Sequence, residues 1–377
     1  MAVKEKDVSV YGFQLSLVSL LMAVAGIIMV LDATSISARA EHLSTFAYLG
    51  KQSLRVVLGI VVMFIASRID YHRMRPISFI ALLVTAVFLV LCLVPGTRSI
   101  APLIGGARRW IHLGGISFQP SELARFFLIC WTAGYLVRKK EQILDFRNGV
   151  LPLVVFSGIF FLLVVRQPDF SSAAIILALV FLTGLLGGIR IRHLMLLGLL
   201  ALPFITYKCV MQVGYRNERW NSFIEGDADK SGTGYQGYQS RLALGSGGAA
   251  GVGLGQSRQK YSFLPAAHTD FIFAIIGEEL GFLGATLVLI TFCYFCYLGV
   301  KIAKGAPDYY GFLLASGLTL MIFASAILNV AVVSGLAPTT GLPLPFFSFG
   351  GTNLVITFWA VGILNNISRW KPVAENG

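Results

Sequence analysis

The chain has 377 residues, 56% of them hydrophobic and 13% charged, with a mean hydropathy of +0.76. Soluble proteins carry about 25% charged residues, so this chain cannot cover a water-facing globule and its main solvent is lipid. The net charge of +12 would suit a nucleic-acid binder, but no compact basic domain carries it; basic loops that hold helices against anionic membrane lipids account for it.

Apolar runs near 11–31, 52–67, 76–95, 120–137, 149–165, 171–188, 194–210, 270–300, 309–334 and 351–369 predict ten transmembrane helices, since a span takes about 20 apolar residues. The fold class is therefore all-α and polytopic, with 1–377 as one transmembrane domain. The first run follows Lys4 and Lys6 and precedes Ala38-Arg39-Ala40. It exceeds a signal-peptide core of about 7–15 residues and is read as a retained span. The stretch 149–188 is read as two spans, because a single helix would put Arg166 and Asp169 in mid-membrane. The five cysteines lie in or beside apolar runs. Cys293 and Cys296 form a C-x-x-C pair with no second pair to complete a zinc site, so packing is their expected role.

Alternate short connections are basic: Arg68, Arg73 and Arg75; Arg138, Lys139, Lys140 and Arg147; Arg190 and Arg192; Lys301 and Lys304. The positive-inside rule makes these connections and both termini cytoplasmic. The opposite connections, about 32–51, 96–119, 166–170, 211–269 and 335–350, are then extracytoplasmic. They are long, and they hold most of the Gly-rich, aromatic and special-charge sequence. Any chemistry is expected there, on a substrate that carries its own activation. The absence of a long internal repeat counts against an inverted-repeat transporter.

Five stretches on that side stand out. Arg108-Arg109-Trp110 places two guanidinium groups and an indole where topology does not call for positive charge, which suits either headgroup anchoring or capture of a lipid phosphate. Gln119-Pro120-Ser121-Glu122 opens the fourth span, with Pro120 at the first turn. Glu122 and Arg125 share a helix face, as an ion pair or as the lining of a polar cavity. The loop 211–269 carries Arg216, Arg219, Gln239, Ser240 and Lys260, and a glycine run at 245–248 whose backbone allows close approach to a ligand or headgroup. Its G-x-G-x-x-G match at 232–237 lacks a preceding strand and is discarded.

His268-Thr269-Asp270 then leads into the eighth span. Asp270 could simply favour the helix N-terminus, or act as a general base on a membrane-bound sugar hydroxyl. A glycosidase-type pairing of Asp270 with Glu278 is disfavoured. Eight helical residues advance about 12 Å and rotate about 80° off the face, beyond the roughly 5–9.5 Å such pairs need. Glu278 and Glu279 are read as network charges, with Glu122 as the candidate second carboxylate. Finally, 337–353 holds Pro338, Pro343, Pro345, Gly341, Gly350 and Gly351. It is expected to be a folded, non-helical loop that walls the site, including Ser348 and Thr352.

Together GGARRWI, QPSE, GYQ…QS…GSGG…GVGLGQS, HTDFIFAIIGEELG and PTTGLPLPFFSFGGTN resemble the motifs of the SEDS family (shape, elongation, division and sporulation), in order and over nearly the whole chain. The resemblance implies a peptidoglycan glycosyltransferase that polymerises lipid II, an undecaprenyl-pyrophosphate-linked disaccharide-pentapeptide. It implies a catalytic Asp270, a cavity residue at Glu122, a class B penicillin-binding protein (a transpeptidase) as partner, and other division proteins nearby. No cofactor is legible; a divalent cation, Mg or Mn, could bridge pyrophosphate and carboxylates. Gly277 before the double Glu, and Arg216 and Arg219 ahead of Trp220, look more like the FtsW-type branch than the RodA-type. Arg125 stands where the family usually has Lys, Ala266 where it has Glu, and Phe349 where Tyr is common. None of these departures removes Asp270 or Glu122. Competing readings are a lipid II flippase, which should place polar sites near the midplane, and a non-catalytic scaffold, which should tolerate Asp270→Asn.

Overall fold

The computed structural model describes residues 5–40, 45–104, 106–193, 195, 234–261, 264 and 267–370. The helices in chain order are α1 (Glu5–Ala40), α2 (Thr45–Arg68), α3 (Met74–Leu93), α4 (Pro120–Arg138), α5 (Leu151–Arg166), α6 (Phe170–Leu186), α7 (Tyr235–Ser246), α8 (Ile272–Lys304), α9 (Tyr309–Val333) and α10 (Thr352–Arg369). Nine of the ten predicted spans coincide with helices; the remaining one, 194–210, falls outside the described residues except for Met195.

The bundle reads as a multi-pass membrane protein. Six helical segments are long and apolar enough to cross a bilayer. Their outer faces expose side chains such as Phe13, Leu21, Val57, Phe64, Ile80, Leu83 and Leu287, as lipid contact requires. Helices α4 and α10 miss that apolar standard because they carry Ser121, Glu122, Arg125, Thr132, Asn353, Asn365 and Asn366, all buried inside the bundle. Polar side chains at membrane depth are placed against protein, so these two helices form the interior, and α10 packs most extensively on α2.

One end of the bundle gathers the described connections 94–104, 106–119, 167–169, 247–261, 267–271 and 334–351. The other is tied by Asp70, His72 and Asp308. His72 Nδ1 meets Asp70 Oδ1 at 2.7 Å and Nε2 meets Asp308 Oδ2 at 2.5 Å. Tyr71 donates to Asp308 from its hydroxyl at 3.0 Å, and from its backbone N–H to Asn366 Oδ1 at 3.0 Å.

Two local structures were not expected from the sequence. Residues 111–118 form an antiparallel hairpin of β1 (Ile111–Leu113) and β2 (Ile116–Phe118), with Ile111 opposite Phe118. Its two-residue turn is Gly114-Gly115, both at positive φ, as a type I′ hairpin turn demands. The second is a break in α8 at Gly281 (φ 66°, ψ −164°). Peptide groups around the break bond to the neighbouring glycine-rich segment. Phe282 N–H donates to Gly248 O at 2.8 Å and Leu283 N–H to Ala249 O at 3.1 Å, while Val252 N–H and Gly253 N–H donate to Glu278 O (3.0 Å) and Glu279 O (3.1 Å). A Cβ on Gly281 would lie 2.3 Å from Gly251 N. Within this segment Gly247 and Gly251 are the positions that approach the backbone of the broken helix.

Candidate active site

The segment 267–271 is a turn ahead of α8, and Phe271 rather than Asp270 occupies the N-cap position of that helix. Asp270 is half-buried and held through its backbone. Asn329 of α9 donates from Nδ2 to Asp270 O at 2.7 Å and to Leu342 O at 2.8 Å. The loop 334–351 supplies the rest of the clamp. Ser348 Oγ donates to Thr269 O at 2.6 Å while accepting from Leu344 N–H at 2.8 Å, and Phe349 N–H donates to His268 O at 2.9 Å. Every carbonyl from His268 to Asp270 is thereby engaged by a donor from another element. Gly341 lies against the carboxylate itself, since a Cβ there would stand 3.6 Å from Asp270 Oδ2. The non-helical loop can do this because its own carbonyls and N–H groups are not consumed by a helix.

Glu122 and Arg125 are each 4% exposed and form an ion pair. Asn353 of α10 also donates to Glu122 Oε2, at 3.0 Å, and Arg125 Nη1 donates to Ser325 Oγ at 3.3 Å. Ser325 sits one turn before Asn329 on α9. The pair is therefore linked to the Asp270 turn through one face of α9. Glu122 also lies in the first turn of α4, where a helix N-terminus favours negative charge. Ser121 is buried beside it.

The remaining described cations named from the sequence bond to groups of the protein itself. Arg108 donates to Val94 O (3.1 Å) and Pro95 O (3.4 Å), and Arg109 to Gln167 O (3.2 Å) and Pro168 O (2.6 Å). Trp110 beside them is half-buried. Gln119 joins the same corner, with its N–H on Thr352 Oγ1 at 3.0 Å and Nε2 on Asp169 Oδ2 at 3.1 Å. Lys260 Nζ pairs with Asp32 Oδ1 at 2.9 Å and Glu279 Oε1 at 3.1 Å. Burial alone would lower the Lys260 pKa, but the two carboxylates hold it above its ordinary value. Glu278 accepts from Ser257 Oγ and from Arg258 N–H (3.0 Å). The double Glu thus faces the 257–260 loop. Ser240 is fully buried and donates to Gly237 O and Val333 O, fastening α7 to the end of α9, with Gln239 half-buried on the same helix. Arg216 and Arg219 lie outside the described residues. Among the described residues no three His, Cys, Asp or Glu side chains come together in a way that could hold a metal ion.

Sequence reasoning missed one wall of the site. A stripe of α2 meets the clamp: Tyr48 packs edge-on to His268 (5.9 Å) and tilted against Phe349 (5.5 Å). Gln52, fully buried, donates from Nε2 to Ser348 O at 3.3 Å. The Arg55 guanidinium lies over the Phe349 ring at 4.4 Å. The available signal was two polar residues three apart inside an apolar run, which puts them on one face.

Comparison with known proteins agrees with this architecture. The family model for FtsW, RodA and SpoVE, described as cell cycle protein, matches residues 13–372. Stage V sporulation protein E of Bacillus subtilis is 38% identical over 95% of this chain and 96% of its own. A probable peptidoglycan glycosyltransferase FtsW of Geobacter sulfurreducens is 40% identical over 93% of this chain and 94% of its own. Among solved structures, one of a peptidoglycan synthase complex, concerned with coordination of polymerization and crosslinking, superposes with a TM-score of 0.77 at 27% identity, covering 95% of this chain and 97% of that one. The rod shape determining protein RodA of Thermus thermophilus gives 0.65 at 25% identity, with 93% and 95% covered. With a family match over nearly its full length and relatives near 40% identity, the chain belongs to the FtsW/RodA/SpoVE family.

Proposed function

We propose that this chain is a peptidoglycan glycosyltransferase that transfers disaccharide units between lipid II molecules on the extracytoplasmic side of the bacterial cell membrane. Both termini are cytoplasmic in this reading, which the distribution of Arg and Lys among the loops supports. The observation that carries the chemistry is the clamped turn at 268–270. Three backbone carbonyls are tied to α9 and the 334–351 loop, which leaves the Asp270 side chain on a rigid support. Rigid placement of a carboxylate is what a general base needs.

In the proposed step, Asp270 takes the proton from the acceptor sugar's 4-hydroxyl. The oxygen attacks the donor's anomeric carbon with inversion, and the bond to undecaprenyl pyrophosphate breaks with its electron pair leaving on the phosphate oxygen. The leaving group supplies the driving force. The described residues do not form a metal centre of their own, and no step here runs through one; a requirement for Mg or Mn is read by adding chelator to the assay.

The curated relatives at 38–40% identity are FtsW and SpoVE proteins, which supports a role in division or sporulation over elongation. A class B penicillin-binding protein is the proposed partner, supported by similarity to a synthase complex of polymerization and crosslinking. The test is polymerisation of lipid II by the purified protein with that partner. Wild type is expected to give glycan polymer and Asp270→Asn none. Polymer from both would remove Asp270 as the base. Polymer from neither, with protein shown to be folded and partner-bound, would favour a flippase or scaffold.

A further inference from the structure

We infer that Arg55 of α2 binds a lipid-borne phosphate beside the Asp270 turn. The inference rests on the reading above, in which the site handles a diphosphate-linked lipid. Arg108, Arg109, Arg125 and Lys260, the described cations that the sequence pointed to, donate to carbonyls, a hydroxyl or carboxylates of the protein itself. Arg55 does not. Its Nη1 is buried with no hydrogen-bond partner, and no carboxylate pairs with it among the described residues. One face of the guanidinium is covered by the Phe349 ring at 4.4 Å. Phe349 in turn bonds His268 O through its N–H and contacts the His268 ring at 5.7 Å. The cation is thus one ring away from the turn that carries Asp270.

Its position is electrostatically costly without a ligand. A charged group within a membrane bundle normally finds an opposite charge. Arg55 instead sits next to Gly351, where a Cβ would lie 3.4 Å from Nε. Gly351 is the N-cap of the 18-residue helix α10, which has no acidic residue in its first turn and no side-chain cap. A helix N-terminus is partially positive and adds to the field of the guanidinium, and the Glu122 carboxylate that reaches this turn through Asn353 is already paired with Arg125, so the corner favours a further anion. Phosphate fits, because guanidinium offers paired N–H donors to it and cation–ring stacking leaves those in-plane donors free. Fixed there, the diphosphate of a prenyl-linked sugar would be held near the carboxylate that activates its attacker.

The test uses the full chain in nanodiscs, as wild type, Arg55→Gln, Arg55→Lys and Asp270→Asn, with thermal melting to establish folding. Lipid II binding is measured in phosphatidylcholine discs, and phosphatidylglycerol retention is measured by mass spectrometry from mixed discs. Loss of a charge-assisted contact predicts a lipid II Kd about tenfold or more weaker for Arg55→Gln, with Arg55→Lys in between. A shift in lipid II Kd assigns the phosphate to the substrate. Unchanged lipid II binding with lost phosphatidylglycerol assigns it to the bilayer headgroup. No change in either overturns the inference, and Arg55→Lys decides the matter should Arg55→Gln fail to fold. Asp270→Asn is expected to lose polymerisation, which tests the base assignment separately. If that variant still polymerises, the base assignment fails while the Arg55 comparison stands.

Discussion

Asn329→Leu removes the anchor of the Asp270 turn while nearly conserving volume. The side chain is 1% exposed and its Nδ2 donates at 2.7 Å to Asp270 O and at 2.8 Å to Leu342 O. Each lost bond is worth about 1 kcal/mol net, and a buried carbonyl left without a donor costs about 1–3 kcal/mol. Because Asp270 is only half-buried, its carbonyl can recruit water, and a total loss of about 2–4 kcal/mol is expected. The larger effect is on rate. Displacing a reacting group by about 1 Å can cost about 100-fold, so polymerisation of lipid II should fall about 10- to 100-fold. Lipid II affinity should stay within about twofold, because Asn329 contacts the support and not the ligand. Asn329→Asp provides the second arm, since an ionised carboxylate cannot donate to either carbonyl. Denaturant titration gives the stability change, and gel-resolved glycan synthesis with saturating partner gives the rate. A folded Leu variant that polymerises within about threefold of wild type would refute the reasoning that Asp270 is positioned through its backbone.

Lys260→Met should destabilise the protein by about 3–5 kcal/mol, because it leaves the buried Glu279 carboxylate without its cation; denaturant unfolding reads this directly. The folded pKa of Lys260 is raised above its ordinary 10.5. Its contribution is therefore full below about pH 10.5 and lost as pH rises through the folded value. The gap between wild type and Lys260→Met should be flat from neutral pH to about 10 and narrow only above that. Gly281→Ala should cost at least about 1–3 kcal/mol from conformation alone, and more from the 2.3 Å approach to Gly251 N. Gly251→Ala offends the same contact through Glu279 O, so the double variant should lose less than the sum of the singles.

The spans were legible because each apolar run is bounded by charge, and hydropathy is a local property. Gln52 and Asn329 were not legible as parts of the site. Gln52 acquires its role from a residue 296 positions away, and nothing in a window around it announces that Ser348 will be its neighbour. Asp270 stood out as a candidate because a polar triplet at the mouth of a span is locally anomalous. Its means of support did not, since backbone carbonyls leave no trace in side-chain identity. The break at Gly281 was hidden for a related reason. Gly281 lies within an otherwise helix-forming stretch, and only the facing glycine run at 247–255 makes the positive φ there useful. The hairpin at 111–118 was missed although Gly114-Gly115 is a two-residue turn signal, because strands of three residues are too short for alternation to register.

The three departures from the family pattern can be read against these contacts. Arg125 reaches Glu122 with one guanidinium nitrogen and Ser325 with another. A lysine carries its donors on a single nitrogen, so the fork spans α4 to α9 in a way that an ammonium does less well. Phe349 acts through its ring, which meets Tyr48, His268 and Arg55, and through its backbone N–H on His268 O; none of those contacts needs the hydroxyl that a tyrosine would add. Ala266 lies outside the described residues. What the two described departures share is that they alter side-chain chemistry while leaving the clamp on 268–270 intact. That clamp is made of carbonyls held by Asn329, Ser348 and a backbone N–H, so substitutions at those two side chains, rather than at Arg125 or Phe349, should govern whether the carboxylate stays in place.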